Sequence, residues 1–130
     1  MIVRNGRVVG EGWNQVTSHN DPTAHAEMVA IRAAATAIGD YRLEGCEIFT
    51  SCEPCPMCLA ALYWSRIDRL FFGGSSDDTT KIGFSDEFQY DDFKLPWDQR
   101  KGIAVSPGFE REVGLTAYTA WTNKKDRHYY

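Results

Sequence analysis

Two short segments combine residues that can bind a metal and move a proton. They are His25-Ala26-Glu27 and Cys55-Pro56-Met57-Cys58. One histidine and two cysteines can give a zinc ion three ligands and leave a fourth position for water, as in catalytic rather than structural zinc sites. A carboxylate two residues from a ligand is suited to moving protons. The spacing therefore predicts one zinc ion per chain, held by His25, Cys55 and Cys58, with Glu27 as the acid–base group.

The same cysteines allow two other interpretations. Cys52, Cys55 and Cys58 are spaced like the start of an iron–sulfur ligand run, although no fourth cysteine follows position 58. Cys52 could instead be a fourth protein ligand, which would make the zinc structural. Otherwise we expect Cys46 and Cys52 to be small buried core residues.

Strands and helices must bring these segments together. Asn5-Gly6 between apolar pairs predicts a β-hairpin at the start of the chain. Helical spacing of apolar residues and short apolar runs predict the following elements. These are a helix over Ala24–Ile38, a strand over Glu47–Ser51, a helix over Pro56–Ser65, a strand over Arg69–Gly73, helical turns within Thr79–Tyr90, and a C-terminal helix extending past Thr116–Lys125. The order predicts a mixed sheet covered by helices, an α/β fold.

Helix geometry poses a problem for the predicted site. Cys55 and Cys58 share one face of the first turn of their helix, whose electropositive end favours thiolates. An ideal helix would set His25 and Glu27 on different sides. They converge on one metal only if that helix starts irregularly or the metal lies over its end.

Composition narrows the class of protein. The chain has 130 residues, of which 43% are hydrophobic, and a net charge of −4. This length predicts a single domain over residues 1–130. We expect no membrane partner, because no apolar run approaches the length of a spanning helix. The acidic balance argues against nucleic acid, and four closely spaced cysteines without a signal peptide favour a cytoplasmic protein.

Several longer segments resemble the cytidine deaminase superfamily of zinc-dependent nucleobase deaminases. They are Glu11–Asn14, Asn20–Glu27 and Thr50–Cys58, and three more, Ala61–Arg66, Gly83–Tyr90 and Ala120–Lys125, are similar to its guanine deaminase branch. The resemblance implies a three-layer α/β/α sandwich with a mixed five-stranded sheet. It also implies one zinc per chain and hydrolysis of guanine to xanthine and ammonia.

The resemblance assigns roles to individual residues. It implies that His25, Cys55 and Cys58 hold zinc and that Glu27 is the proton shuttle. By the same resemblance, Asn14 contacts the base, Asp86 contacts or protonates the purine, and an aromatic residue at the C-terminus, Tyr129 or Tyr130, reaches the substrate. We take Tyr130 as the substrate-binding candidate. Without the resemblance, a structural role in a turn or helix cap explains Asn14 and Asp86 as well as a role in substrate binding does.

The resemblance also implies a dimer and shows one departure. The C-terminal segment, about residues 100–130, is expected to cross to a partner in a domain-swapped homodimer. Relatives usually begin with a further helix, whereas this sequence starts inside the first strand, so either the true start lies upstream or the helix is lacking. Its loss would expose one face of the sheet, at a cost of about 25 cal/mol per Å² of apolar surface left in water.

Two rival functions stay open. A tRNA adenosine deaminase uses the same zinc chemistry but needs basic surface for RNA and a pocket for a flipped base. A zinc-binding module without catalysis would use Cys52 as its fourth ligand.

Overall fold

The computed structural model describes residues 1–129. Its strands are β1 Ile2–Arg4, β2 Arg7–Gly10, β3 Cys46–Cys52 and β4 Arg69–Gly74. Its helices are α1 Val16–His19, α2 Ala26–Ile38, α3 Pro56–Trp64, α4 Ser76–Lys81, α5 Glu87–Phe93 and α6 Arg111–Asn123, with a 3-10 turn at Trp97–Gln99. The chain divides into two compact units, Met1–Tyr90 and Asp91–Tyr130. The expectation of one domain over the whole chain stays a prediction.

The N-terminal hairpin forms where the sequence predicts it. Asn5 and Gly6 both have positive φ, 51° and 73°, as a two-residue turn of this hand requires. β1 and β2 therefore pair antiparallel, with Val3 opposite Val8.

The sheet is mixed and has the order β2-β1-β3-β4. β1 pairs antiparallel with both β2 and β3, while β3 and β4 run parallel. This confirms the α/β class. Within residues 1–129 the sheet has four strands, one fewer than the family resemblance implies. The stretch after α5 is interrupted by Pro96, Gly102, Pro107 and Gly108, and such residues disfavour strand pairing.

The apolar core lies between one face of the sheet and two helices. Ile2, Cys46 and Ile48 point from the sheet to Ala30 of α2 and Leu62 of α3, and all five are at most 5% exposed. Small side chains on α2 let the helix approach the sheet closely. Cys46 is a core residue as predicted, whereas Cys52 is only half-buried. The expectation of a core position for Cys52 is therefore wrong, because this residue ends β3 at the edge of the core.

The opposite face of the sheet carries Phe49 and Phe71, whose rings stack with centroids 4.7 Å apart. Alternation along β3 turns Phe49 away from the core-facing Ile48. Phe71 is 41% exposed and Val8 is 51% exposed. Apolar side chains on this face of the sheet are therefore partly exposed.

The second unit has its own local structure. Asp92 is buried and accepts hydrogen bonds from the backbone N–H groups of Lys101 and Gly102, at 2.6 and 3.4 Å. The guanidinium of Arg100 lies 3.8 Å from the ring centroid of Trp97. α6 begins five residues before the predicted Thr116 and buries none of its residues.

Within the described part of the chain, the helices are too short or too polar for any of them to cross a membrane.

Candidate metal centre and its pocket

The loop before α2 places His25. The backbone N–H of Gln15 donates to the carbonyl of Ala24 at 2.8 Å. Asp21 accepts from the backbone N–H and the hydroxyl of Thr23, at 2.8 and 2.7 Å. The bond from the Thr23 hydroxyl, followed by that from its backbone, holds the pKa of Asp21 below its ordinary value. These contacts fix the turn that leads into His25.

His25 lies just outside the helix rather than within its first turn. It is the N-cap residue of α2, with extended backbone angles of φ −65° and ψ 157°. The predicted start at Ala24 is therefore two residues early. Since the N-cap has non-helical geometry, the His25 ring is freed from the helical arrangement that would separate it from Glu27. This resolves the problem of convergence: the site lies over the end of α2.

Cys55 occupies the equivalent position of α3. It is the N-cap residue, Pro56 follows as the first helical residue, and the backbone N–H of Cys58 donates to Cys55 Sγ at 3.5 Å. The Cys58 thiol, together with backbone N–H groups, lowers the pKa of Cys55. A helix N-terminus therefore stabilises negative charge on this sulfur, the form in which cysteine binds metals.

His25, Cys55 and Cys58 form one compact set of donors. Their ligand atoms all lie within 4.8 Å of one another, and His25 Nδ1 is 3.6 Å from Cys55 Sγ. Both cysteines are buried and His25 is half-buried. Within residues 1–129, Cys52 is not part of this set. One nitrogen and two sulfurs fit zinc, and three protein ligands leave a position open.

Glu27 lies beside the donor set. Its side chain is 8% exposed, and its Oε2 accepts a hydrogen bond from the Cys58 thiol at 3.6 Å. Contact with Cys55, burial and the nearby Glu27 carboxylate together raise the pKa of Cys58. Cys55, Cys58 and Glu27 thus place three groups that can carry negative charge close together. A divalent cation bound between them would offset the repulsion among these charges.

A cavity of about 580 Å³ opens onto the donor set. This volume is in the range of small-molecule sites. Its lining includes two of the donors, Glu27, and residues from β3, from the loop after β2 and from the segment after β4. These are Met1, Gly12, Trp13, Asn14, His25, Ala26, Glu27, Ile48, Phe49, Thr50, Ser51, Cys52, Glu53, Cys55, Thr79, Ile82, Phe84 and Asp86.

The two candidates for polar contact with the base, Asn14 and Asp86, both line this cavity. Asn14 Oδ1 accepts the backbone N–H of Val16 at 3.1 Å, which leaves the NH₂ group of the same amide to donate to a ligand. Asp86 is half-buried directly before α5, and its carbonyl accepts from Gln89 at 2.9 Å. Each residue is thus a turn or cap residue and a pocket residue at once. Of the two C-terminal aromatic candidates, Tyr129 is 78% exposed, and Tyr130 lies outside the described residues.

Sequence reasoning missed part of the cavity wall. Thr79 and Ile82 of the α4 region line the cavity, but no spacing rule points to them. Phe84 and Glu53, which also line it, stood inside the family-like segments without being assigned a role. Their proximity along the chain to Asp86 and Cys55 was the available signal.

Comparisons with known proteins agree with this geometry. Residues 1–74 match the cytidine and deoxycytidylate deaminase zinc-binding region. The chain is 40% identical to the guanine deaminase of Bacillus subtilis strain 168, over 100% of this chain and 82% of that protein. A crystal structure of guanine deaminase from Bacillus subtilis has a TM-score of 0.87, with 39% identity over 99% of this chain and 81% of that chain.

Similarity to another branch is shorter. The tRNA-specific adenosine deaminase of Haemophilus influenzae is 46% identical over 68% of this chain, which spans 50% of that protein. Zinc is thus the cofactor that both the donor set and the matched family support. The chain matches the zinc-binding region of the family, aligns over its whole length with a relative and shares the fold of a solved structure. It therefore belongs to the cytidine and deoxycytidylate deaminase family.

Proposed function

We propose that this chain is a zinc-dependent enzyme that hydrolyses guanine to xanthine and ammonia. One observation carries the choice of substrate: similarity to a guanine deaminase extends over the whole chain, whereas similarity to a tRNA deaminase covers about two thirds of it. The net charge of −4 also fits a small-molecule substrate better than a polyanion.

His25, Cys55 and Cys58 are the residues that would hold the zinc. Zinc in such a site acidifies a water molecule so that it is nucleophilic near neutral pH. Two of these donors, His25 and Cys55, line the cavity, whose volume of about 580 Å³ is large enough for a purine.

Glu27 is the proton carrier of this proposal. Its carboxylate is buried, lines the cavity and lies beside the donor set. It accepts a proton from the water whose oxygen adds to C2 of guanine, and it returns that proton to the purine ring. The hydroxyl now on C2 then gives up its proton, a proton is delivered to the amino group, and the C–N bond breaks, so that C2 becomes a carbonyl and the amino group leaves as ammonia.

Asn14 and Asp86 are the proposed contacts to the base. The NH₂ group of Asn14 can donate to a purine carbonyl or ring nitrogen, while the carboxylate of Asp86 can accept from a purine N–H. Both lie on the cavity wall, which supports contact with the ring. Donor and acceptor together would distinguish guanine from purines with a different pattern of polar groups.

The C-terminal segment, about residues 100–130 and including Tyr130, is proposed to close the active site of a partner chain in a domain-swapped homodimer. α6 buries none of its residues, and Tyr118 and Trp121 are 70% and 40% exposed. A 13-residue helix that fully buries none of its side chains is marginal in water by itself, which supports a partner for the side of α6 that carries Tyr118 and Trp121. The location in the cytoplasm stays a prediction.

Ammonia release tests the proposed reaction. Purified zinc-loaded protein should release ammonia and form xanthine from guanine, and should leave adenosine in a tRNA anticodon stem-loop unchanged. Turnover of the RNA with guanine untouched would favour the tRNA deaminase. Full zinc loading with neither activity would favour a binding module.

A further inference from the structure

Glu53 connects the loop that precedes Cys55 to one wall of the cavity. It has no role in the reaction described above. It lies two residues before Cys55, is half-buried and lines the cavity. Its Oε2 accepts the backbone N–H of Ser76 at 2.9 Å. Its own backbone N–H donates to the carbonyl of Gly74 at 2.8 Å. The side chain therefore connects the loop before Cys55 to the first residue of α4.

A second hydrogen bond joins the same loop to α5. The hydroxyl of Tyr90 donates to the carbonyl of Pro54 at 3.3 Å. Pro54 is buried and directly precedes Cys55. Both ends of the segment from Ser76 to Tyr90 are thus attached to the two residues before the metal donor.

This segment supplies one wall of the cavity. Thr79, Ile82, Phe84 and Asp86 all line it. Ile82 and Phe84 are each 72% exposed, so apolar burial contributes little to holding them in place. Few apolar contacts therefore hold this wall in place. Its position relative to the metal donors depends on the hydrogen bonds at its two ends.

We propose that Glu53 is a positioning residue. By accepting the hydrogen bond from Ser76, it holds the wall that carries Asp86 at a distance from the three metal donors at which a purine can contact both. This inference rests on the proposed function, since the wall is taken to contact a purine. Glu53 does not touch the reacting atoms. Its loss loosens the wall without removing a zinc ligand, and it weakens binding of the base more than it slows the chemistry.

Two variants separate this role from a merely structural one. Glu53→Ala removes the acceptor for the Ser76 N–H, whereas Glu53→Gln keeps an oxygen acceptor in nearly the same place. Glu44→Ala is the control, because it removes a carboxylate whose partner is the exposed Arg66. Glu53→Ala should raise KM for guanine about tenfold, which corresponds to about 1.4 kcal/mol, with a smaller change in kcat and with zinc retained. Glu53→Gln and Glu44→Ala should keep KM within about twofold, a small fraction of that energy.

Limited trypsin digestion tests the attachment without any assay of activity. Between Arg69 and Lys94, Lys81 is the one site for trypsin in the sequence, and it lies in the wall at the end of α4. Cleavage after Lys81 should be faster in Glu53→Ala than in the native protein, with Glu53→Gln restoring protection.

The outcomes are decisive for each idea. Unchanged cleavage at Lys81 in Glu53→Ala, an unchanged KM, or a Glu53→Gln variant as defective as Glu53→Ala would each overturn the positioning role. Loss of zinc in Glu53→Ala would also overturn it, because Glu53 would then support the metal instead. A native protein that leaves guanine unchanged overturns the proposed function, while the digestion still decides whether Glu53 holds the wall.

Discussion

His25 and Cys55 occupy the same position in two different helices. Each is an N-cap residue with extended backbone, and His25 Nδ1 lies 3.6 Å from Cys55 Sγ. Two helix N-termini therefore point at one place, where their dipoles favour negative charge on the sulfurs. This arrangement explains how ligands 30 residues apart in sequence meet, and it places the candidate metal at the ends of the helices.

Loss of one sulfur should remove the metal. Cys55→Ala leaves two donors of the compact set, so we expect most of the zinc to be lost in elemental analysis of the purified protein. Cys52→Ala is the matched control, because Cys52 lines the cavity but is outside the donor set, and it should keep one zinc per chain. Full zinc in Cys55→Ala would refute the site, and loss of zinc in Cys52→Ala would restore the four-ligand structural interpretation.

Glu27→Gln should separate metal binding from catalysis. Glutamine has nearly the same shape but cannot carry a proton, so turnover of guanine should fall by about 10²-fold or more, the usual scale for a positioned acid–base group. Zinc content should stay unchanged, because Glu27 is not in the donor set. Steady-state kinetics combined with elemental analysis checks both points. Near-normal turnover in this variant would contradict the role of Glu27.

Asn14→Asp should test the contact to the base without disturbing the loop. Aspartate keeps the oxygen that accepts from Val16 but replaces the NH₂ donor with a second acceptor. KM for guanine should rise about tenfold or more, since a lost hydrogen bond of about 1 kcal/mol is accompanied by repulsion from a purine acceptor. The thermal midpoint should change little. A native KM would remove Asn14 from the list of base contacts.

Deleting the residues after Asn123 should impair the active site while zinc stays bound. The deleted part includes Tyr129, which packs edge-on against Trp121 with ring centroids 6.1 Å apart. If the segment closes the site of a partner and excludes water, KM should rise or turnover should be lost. Light scattering should give a dimer mass for the intact protein. A monomer whose truncated form deaminates guanine normally would exclude both closure and exchange.

Gly12→Ala should destabilise the protein. A Cβ at this position would lie 2.3 Å from the carbonyl oxygen of Ala26 and 2.7 Å from the backbone nitrogen of Ala30, and backbone cannot yield cheaply. The free energy of unfolding should fall by about 1–3 kcal/mol in urea denaturation. Gly114→Ala is the control: nothing lies within 4 Å of its Cβ, and alanine favours a helix interior by up to about 1 kcal/mol. Equal stability of Gly12→Ala and the native protein would contradict the close approach.

The sequence by itself was sufficient for features that depend on neighbouring residues. Asn5-Gly6 predicts the hairpin because its two residues accept positive φ. The apolar periodicity of Met28, Ile31 and Ile38 predicts α2 to within two residues. His25, Cys55 and Cys58 are predicted as donors because their types and local spacing suit zinc.

Tertiary structure decided what no local pattern contains. The extended backbone of His25 depends on the loop fixed by Gln15, Asp21 and Thr23, and it sets which atoms can meet over the helix ends. Cys52 is excluded from the donor set by where β3 ends, although its spacing matches that of Cys55 and Cys58. The wall from Ser76 to Tyr90 has no strong periodicity, and contacts made by Glu53 and Pro54 over long sequence separation hold it. These contacts join residues that are 23 and 36 positions apart in the sequence, so their partners cannot be inferred from local spacing.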